Sequence, residues 1–350
     1  MRIALVKQVL DVQGPWSGML WKDTSPSRLF EIWPGKLTYW DMTCLLKADW
    51  YIVPQQLVSR YTHDAVYRHP GREEMVKKFT RNVTPVEAIP FELYDIVITM
   101  DPILDVPAGT PILFAYHGME HWDYPYIRSL RAPLGNYDLF LAHMMDANDA
   151  LRKVPQSISF PYMHNPSTAR ALFDCTKKND AAWIDWRALA TLGMSETWGP
   201  HNEAAASRLE KAIGVPVRYR GNATFPSYSI TDPPTWGDIA YFYLRDLAHC
   251  KYYIGAGRIY GGGQGIVDAA ALDCICIGQE NKAYHRMLCH PQTLCRDMSE
   301  LPIRMRRIAE SQNLQAEILA WQTKTLDQHF VSGPVRILRE ALEMKRRYVG

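Results

Sequence analysis

The chain lacks the features that mark membrane, repeat and low-complexity proteins. No apolar run in its 350 residues approaches the length that spans a bilayer, and no repeat of solenoid period is present. The apolar start, Met1–Val6, is too short to be the core of a signal peptide, and the cysteine count, seven, is odd. We therefore expect a protein without a membrane span in a reducing compartment, the cytoplasm.

The chain also has little net charge. Its 39 basic and 37 acidic residues leave a formal charge of +2, which is too small to indicate a polyanion partner by itself. Apolar residues make up 47% and charged residues 22%, which is the balance of a globular protein. The length is too great for one typical domain and suits two domains, each with a sizeable core.

The first half of the chain contains near-continuous apolar runs, which predict strands buried on both faces of a parallel sheet. Polar or helical segments separate the runs, as in an open α/β domain. The predicted strands are Ile3–Val6, Asp95–Thr99, Pro111–Tyr116 and Tyr137–Ala142. The segment Ser157–Ser167 contains two prolines and is the predicted linker.

A second series of elements follows this linker. Strands are predicted at Ala181–Asp185, Val215–Tyr219, Lys251–Gly255 and Asp273–Gly278, and helices at Glu203–Ile213, Ile239–Cys250 and Pro302–Thr325. After a predicted break at Ser332–Pro334, a last helix carries an apolar stripe and ends in Lys345-Arg-Arg347, cations that suit the helix dipole. The predicted domains are 1–165 and 166–330, and a C-terminal helix occupies 331–350.

The run Tyr252–Gly278 is the most informative segment. It predicts a strand, a glycine-packed turn, a helix of small residues and a second strand. The glycines leave backbone N–H groups free to face a phosphate, and the positive end of the helix dipole favours an anion. The run therefore predicts a site for a phosphorylated or nucleotide ligand.

The same segment resembles the C-terminal domain of the glycogen-synthase-like group of GT-B glycosyltransferases. That group carries Glu-Gly-Phe-Gly, a helix with a second Glu after a seven-residue gap, and a following strand. Here Tyr260-Gly261-Gly262-Gly263 matches the first motif, Asp268 lies at the position of the second Glu, and Cys274–Ile277 matches the strand. The resemblance implies an α/β fold of two Rossmann-like domains that face a cleft, with a C-terminal helical tail that packs back on the first domain.

The resemblance also implies a nucleotide-sugar donor, expected to be a UDP-sugar. The carboxylate of Asp268 would accept hydrogen bonds from both ribose hydroxyls. The backbone at Gly261, Gly262 and Gly263 would approach the diphosphate, and Arg258 would neutralise phosphate charge on the leaving group. Tyr260, in the place of the group's first Glu, would lie beside the donor sugar.

Two residues at other strand ends are further donor-site candidates. Arg187 follows the first strand of the second domain, and ligands of open α/β sheets bind at the carboxyl ends of strands. Gly14 belongs to a loop after the first strand that resembles the flexible glycine loop of GT-B proteins and would close over the donor.

The first domain is expected to supply the catalytic base. His117 and Asp101 each follow a predicted strand, so both would lie at the carboxyl edge of the sheet. A His or Asp at that edge can take the proton of an acceptor hydroxyl. The two residues are alternative candidates for this role.

The acceptor is left open between a glycan or small molecule and a hydroxymethylated base in phage-type DNA. A basic stretch with Arg72, Lys77 and Lys78 would contact DNA phosphates in the second case. Two other function classes are a nucleotide-sugar epimerase and a non-catalytic nucleotide-binding module. Whether transfer inverts or retains the anomeric configuration is open, as is the oligomeric state.

No metal or other cofactor is expected. GT-B enzymes stabilise the leaving group with helix dipoles and cations, and the chain contains no Asp-x-Asp sequence. The spacings of Cys289, His290 and Cys295, with His285 nearby, fit no standard zinc pattern. Cys274 and Cys276 lie in a strand pattern and are expected to pack as small apolar side chains.

Overall fold

The computed structural model describes part of the chain. The described residues are 1–8, 18–21, 37–53, 83–86, 88–100, 106–107, 109–118, 137–142, 156–161, 163–184, 201–219, 244–256 and 265–349. They form two compact units. The first comprises the described residues within Met1–Met163 together with those from Ser332 onward, and the second those between His164 and Val331.

The helices of the described residues are numbered here in chain order. They are α1 (Leu37–Leu46), α2 (Pro166–Leu172), α3 (His201–Ile213), α4 (Gly265–Ala271), α5 (Ala283–Leu288), α6 (Leu301–Ala309), α7 (Gln312–Leu326) and α8 (Ser332–Val349). Residues 244–248 are also helical, and Asp327–Val331 form a π-helical turn between α7 and α8.

The first unit is built on one sheet. Its strands are β1 (Ile3–Gln8), β2 (Gly18–Trp21), β3 (Asp49–Val53), β4 (Val83–Val86), β5 (Ile96–Met100), β6 (Leu113–Gly118), β7 (Leu139–Ala142) and β8 (Ser157–Ser159). Their order is β4-β2-β3-β1-β5-β6-β7-β8. The neighbours from β3 to β8 are parallel, and β2 is antiparallel to both β3 and β4. Because β3 and β5 flank β1 on opposite sides, the strand order reverses at the β1–β5 pair.

The apolar strands of this unit pack against α1 and α8. Leu5, Ile98, Met42 and Leu338 are fully buried in one shared core. Two of the cations at the end of α8 also have partners in this unit, since Lys345 pairs with Asp138 and Arg346 pairs with Asp95. The apolar stripe and these ion pairs fix α8 to the first unit.

The second unit contains a parallel sheet. Its strands are β9 (Asn179–Ile184), β10 (Val217–Tyr219), β11 (Cys250–Ile254), β12 (Ile275–Gln279) and β13 (Leu294–Cys295), in the order β10-β9-β11-β12-β13. Each neighbouring pair is parallel. Most strand pairs of the first sheet and all of those of the second are parallel, and the predicted α/β class with two Rossmann-like domains and a C-terminal helix is confirmed.

A side chain completes the hydrogen bonding of β12. The strand pairs with β13 only at Gly278 and Gln279, which leaves its earlier backbone groups on that edge without a strand neighbour. Gln322 of α7, 1% exposed, accepts from the Cys276 N–H at 2.8 Å and donates to the Cys274 carbonyl at 2.7 Å. The buried amide thus takes the place of a strand, which satisfies both backbone groups.

Several predicted element boundaries are wrong. Ser157–Ser159, inside the predicted linker, form β8, and Cys250 begins β11 instead of ending a helix. The predicted helix Pro302–Thr325 is divided into α6 and α7, because Ser311 caps α7 by accepting from the Leu314 N–H. The predicted break at Ser332–Pro334 is absent, since Pro334 lies in the first turn of α8, where a proline is tolerated.

The strands and helix in 18–53 and the strand Val83–Val86 were not predicted. Within the described residues, no helix combines the length and apolar character needed to cross a membrane.

Candidate functional site

The second unit has its strand-order reversal between β9 and β11. The chain places β10 on one side of β9 and β11 on the other, and Ile184 and Ile254, the last residues of the two strands, are paired. Ligands of open α/β sheets bind outside the carboxyl ends of strands at such a point. Arg187 follows β9 in the sequence, and Arg258, Tyr260 and Gly261–Gly263 follow β11. All of these residues lie outside the described part of the chain.

Asp268 is the predicted donor-site residue that the structure does describe in this unit. It lies in the first turn of α4, the helix that follows β11 and its glycine run. A carboxylate is favoured there by the helix dipole. Ala269, Ala270 and Ala271 are buried, and their small side chains let α4 approach the sheet closely. Asp268 itself keeps 12% of its side chain exposed.

The Asp268 carboxylate is hydrogen-bonded to a histidine that was not singled out from the sequence. His164 Nε2 lies 2.9 Å from Asp268 Oδ1, and the His164 side chain is 1% exposed. Because an ionised carboxylate can only accept, Nε2 carries the proton of this bond. His164 lies inside the predicted linker, and the only local signal beside it is Asn165-Pro166, an N-cap followed by a proline at the first helical position.

The opposite end of α4 is also tied to α2. Asp273 adopts a left-handed conformation, with φ of 57°, just after the helix. The Asp273 N–H donates to Ala270 and the Cys274 N–H donates to Ala269, so the helix ends in a Schellman motif. The Asp273 carboxylate receives two hydrogen bonds from Arg170, at 3.0 and 2.5 Å. His164 and Arg170 thus contact α4 near its two ends.

A second buried histidine lies at the carboxyl ends of β11 and β12. His285, in α5, is 1% exposed, and its Nδ1 accepts from the Gln279 N–H at 2.9 Å. A Cβ added at Gly255 or Gly278 would come within 2.8 or 2.7 Å of the imidazole. These two glycines therefore make room for the ring, a packing reason that the sequence pattern did not reveal.

The cysteines of the chain are free and mostly buried. All seven are free thiols, and Cys274 and Cys276 are fully buried, as predicted for small apolar side chains. Burial raises the pKa of the Cys274 thiol to about 12 and that of Cys250 to about 11, so neither forms a reactive thiolate near neutral pH. No group of three or more His, Cys, Asp or Glu side chains in the described residues is placed to hold a metal ion.

The candidate base His117 lies inside a strand of the first unit. The sequence ended the strand at Tyr116, but β6 continues to Gly118, and His117 pairs in register with Met100 and Leu141. The imidazole is 1% exposed and lies edge-on to Phe160, with ring centroids 5.9 Å apart. His117 is therefore a buried residue near the end of a strand instead of a loop residue.

The other candidates of the first unit lie outside the described residues. Asp101 directly follows β5, and Gly14 follows β1, so the sequence places one candidate after each strand of the β1–β5 reversal. The possible nucleic-acid contacts Arg72, Lys77 and Lys78 are also outside the described part of the chain.

Three solved structures are similar to this chain over nearly its whole length. The Anabaena protein Alr3699/HepE, in complex with UDP, has a TM-score of 0.47 at 11% identity and covers 98% of this chain and 100% of its own. An alpha-glucosyltransferase in complex with UDP and a 13-mer DNA containing an HMU base has a TM-score of 0.48 at 11% identity, with coverage of 97% and 99%. An E. coli structure described as trehalose-6-phosphate bound with UDP-2-fluoro glucose has a TM-score of 0.49 at 9% identity, also covering 97% and 99%.

No protein-family model and no curated protein matches the chain. With TM-scores below 0.5 and identities near 10%, the structural similarities do not assign an activity. The chain's own topology is more informative, because each unit has a sheet of mostly or wholly parallel strands with a strand-order reversal, and α8 belongs to the first unit. At the level of fold, the chain has the two Rossmann-like domains and C-terminal helix of the GT-B architecture.

Proposed function

We propose that this protein is a glycosyltransferase that transfers a sugar from a nucleotide-sugar donor, a UDP-sugar, to an acceptor hydroxyl. The observation that carries the proposal is the placement of Asp268. The residue lies in the first turn of the helix that follows β11, one of the two strands at the order reversal of the second sheet. A carboxylate near that edge suits the ribose hydroxyls of a nucleotide.

Each donor group has a proposed partner. Asp268 accepts hydrogen bonds from the ribose hydroxyls, and the backbone at Gly261–Gly263 binds the diphosphate. Arg258 and Arg187, which follow β11 and β9 in the sequence, neutralise the charge that develops on the leaving phosphate. Tyr260 lies beside the donor sugar. This chemistry requires no metal ion.

The first unit supplies the base in this proposal. His117 or Asp101 removes the proton of the acceptor hydroxyl as the oxygen attacks the anomeric carbon of the sugar. Gly14, in the segment after β1, belongs to the part of the chain that closes over the donor. A cytoplasmic location suits a protein whose seven cysteines are all free.

The proposal is tested by the thermal unfolding midpoint of the protein with a panel of nucleotide sugars and with UDP. A ligand at about 100 times its dissociation constant adds about 2.7 kcal/mol to the free energy of unfolding, which is a clear shift of the midpoint. We expect one donor to stabilise the protein and Asp268→Ala to abolish that shift. Asp180→Ala, at an exposed carboxylate near the start of β9 in the same unit, is the matched control and should keep it.

A failure of every nucleotide sugar and of UDP to shift the midpoint would overturn the proposal. The reaction class is tested by incubating the stabilising donor with and without acceptors. Conversion of the donor to an epimer without an acceptor would identify an epimerase, and binding without any turnover would identify a nucleotide-binding module.

Two acceptor classes remain in the proposal, a glycan or small molecule and a hydroxymethylated base in DNA. A DNA acceptor predicts duplex binding that weakens steeply with salt, because each phosphate contact releases a counterion. Replacing Arg72, Lys77 and Lys78 together by Ser should then reduce both the affinity and its salt dependence. Unchanged duplex binding by the triple variant would exclude this segment as the contact.

A further inference from the structure

We infer that His164 is a positioning residue for the donor ribose and acts through the carboxylate of Asp268. The inference rests on the proposed function and adds a residue to the same site. His164 would not touch the donor itself. Its Nε2–H fixes one oxygen of the carboxylate, so that the remaining acceptor sites of Asp268 face the ribose in one orientation.

The hydrogen bond has the geometry of a fixed pair. The two atoms are 2.9 Å apart, His164 is 1% exposed and Asp268 is 12% exposed. A buried donor facing a partly exposed carboxylate forms a charge-assisted bond, which is stronger than a bond between neutral groups. An ionised carboxylate has about four acceptor sites, so the bond to His164 leaves room for two ribose hydroxyls.

His164 is itself held firmly by the backbone around it. Its N–H donates to the carbonyl of Phe330 at 3.0 Å. The next residue, Asn165, caps α2 by accepting from the Ser167 N–H at 3.1 Å. Further along α2, Arg170 binds Asp273 at the end of α4. The imidazole is thus attached to a segment that contacts α4 near both of its ends.

Positioning matters here because Asp268 is an aspartate. A single methylene separates its carboxylate from Cα. The carboxylate therefore reaches the ribose over a narrow range of rotamers. Fixing the side chain before the ligand arrives removes a rotational entropy cost from binding. The donor affinity should consequently depend on His164 as well as on Asp268.

The test compares the binding of UDP with that of 2′,3′-dideoxy-UDP by titration calorimetry. The proteins are the wild type, His164→Phe, His164→Gln, Asp268→Ala and the double variant that combines His164→Phe with Asp268→Ala. Phe keeps the ring volume but has no donor, whereas the amide nitrogen of Gln can replace His Nε2. His290→Phe is the matched control, since His290 is another buried histidine of the same unit whose Nδ1 accepts from a backbone N–H, that of Gln292.

We expect His164→Phe to weaken UDP binding about tenfold, the loss of one hydrogen bond to a charged group. His164→Gln should recover most of that affinity, and any UDP affinity that remains in Asp268→Ala should not change when His164→Phe is added. The dideoxy compound lacks both ribose hydroxyls and should bind the wild type and His164→Phe equally. In turnover, the donor KM should rise with little change in kcat.

The outcomes separate this inference from the proposed function. Equal UDP affinity of the wild type and His164→Phe would overturn the inference, and so would equal losses for UDP and its dideoxy form, which would indicate a general structural role. Binding lost in Asp268→Ala but kept in His164→Phe would leave the proposed function intact. No UDP binding by the wild type would overturn both. Thermal unfolding midpoints identify any variant that fails to fold. If His164→Phe is one of them, the affinities of His164→Gln for UDP and for its dideoxy form decide instead.

Discussion

The two units present their candidate residues at the same kind of sheet edge but in different surroundings. Asp268 of the second unit lies in the first turn of a helix, is 12% exposed and has one oxygen bound to His164. His117 of the first unit lies within β6, is 1% exposed and is flanked by Met100 and Leu141 of the neighbouring strands.

The difference follows from the element that carries each residue. A strand residue near the carboxyl end still belongs to the packed sheet, and its side chain is enclosed by the residues that cover its face, here Phe160. A residue in the first turn of the following helix lies beyond the sheet and keeps access to a ligand. Burial thus encloses the imidazole of the candidate base His117, whereas the Asp268 carboxylate stays partly exposed.

The largest effect is expected on kcat when His117, but not Asp268, is replaced. In His117→Phe, kcat for sugar transfer should fall about 10²–10⁴-fold, the usual contribution of a general base. UDP affinity should not change, because the donor nucleotide is assigned to the second unit. The phenyl ring can occupy the space beside Phe160, and a thermal midpoint checks the fold. An unchanged kcat would transfer the role to Asp101.

The next largest effect is expected at the carboxyl edge of the second sheet, where the His285 ring packs closely against Gly278. A Cβ at Gly278 would lie 2.7 Å from the His285 ring, so Gly278→Ala should lower the free energy of unfolding by about 1–3 kcal/mol. Denaturant unfolding measures the change. His285→Ala relieves the clash, so the double variant should lose less than the sum of the single variants. Simple additivity would contradict the assigned contact.

A smaller effect concerns the end of the first sheet remote from His117. The Arg2 N–H, hydrogen-bonded to Asp95, lowers the pKa of that carboxyl, and Arg346 and the N-terminal amine act in the same direction. Since the folded-state pKa is lowered, the stabilisation is present above the unfolded pKa of about 3.9 and is lost as the pH falls through the folded value.

Asp95→Asn should therefore destabilise the protein by about 1 kcal/mol near neutral pH, the contribution of a hydrogen bond to a charged group after solvent screening. The difference between the variant and the wild type should narrow as the pH falls below about 4. Urea unfolding over a pH series measures it. A difference independent of pH would contradict an ionic origin.

The smallest effect is expected at the end of α4 that faces away from the candidate site. Asp273→Gly removes the left-handed strain at φ of 57° but also an exposed pair with Arg170, so the free energy of unfolding should change by less than about 0.5 kcal/mol. Asp273→Val retains the strain with a branched side chain and should cost about 1–2 kcal/mol. Equal stabilities of the two variants would contradict backbone strain at position 273.

The sequence predicted the elements with strong local patterns. The apolar runs gave β1, β5, β6 and β7, and the run Tyr252–Gly278 gave β11, α4 and β12 with Asp268 in the first helical turn. Buried parallel strands are continuous in apolar character, and a glycine-rich turn followed by small helical residues has few other structural solutions. These features are local, so one sequence suffices to detect them.

The residues that support the site could not be predicted in the same way. His164 contacts Asp268 across 104 positions, and the amide of Gln322 reaches β12 across 46. Neither contact leaves a period or a spacing in the sequence. Strands β2 and β4 were missed because they are short and contain glycine or proline, both of which are weak strand formers.

The attachment of α8 to the first unit has a consequence for how the chain folds. The buried core around Leu5 and Ile98 includes Leu338 from a helix that begins only at Ser332. During synthesis, the second unit can complete its own core while the first unit still lacks helix α8. The first unit therefore closes by a long-range step, and such steps are slow because the loop must be ordered before contacts form. The core of the first unit is thus completed by residues that are synthesised after those of the second unit.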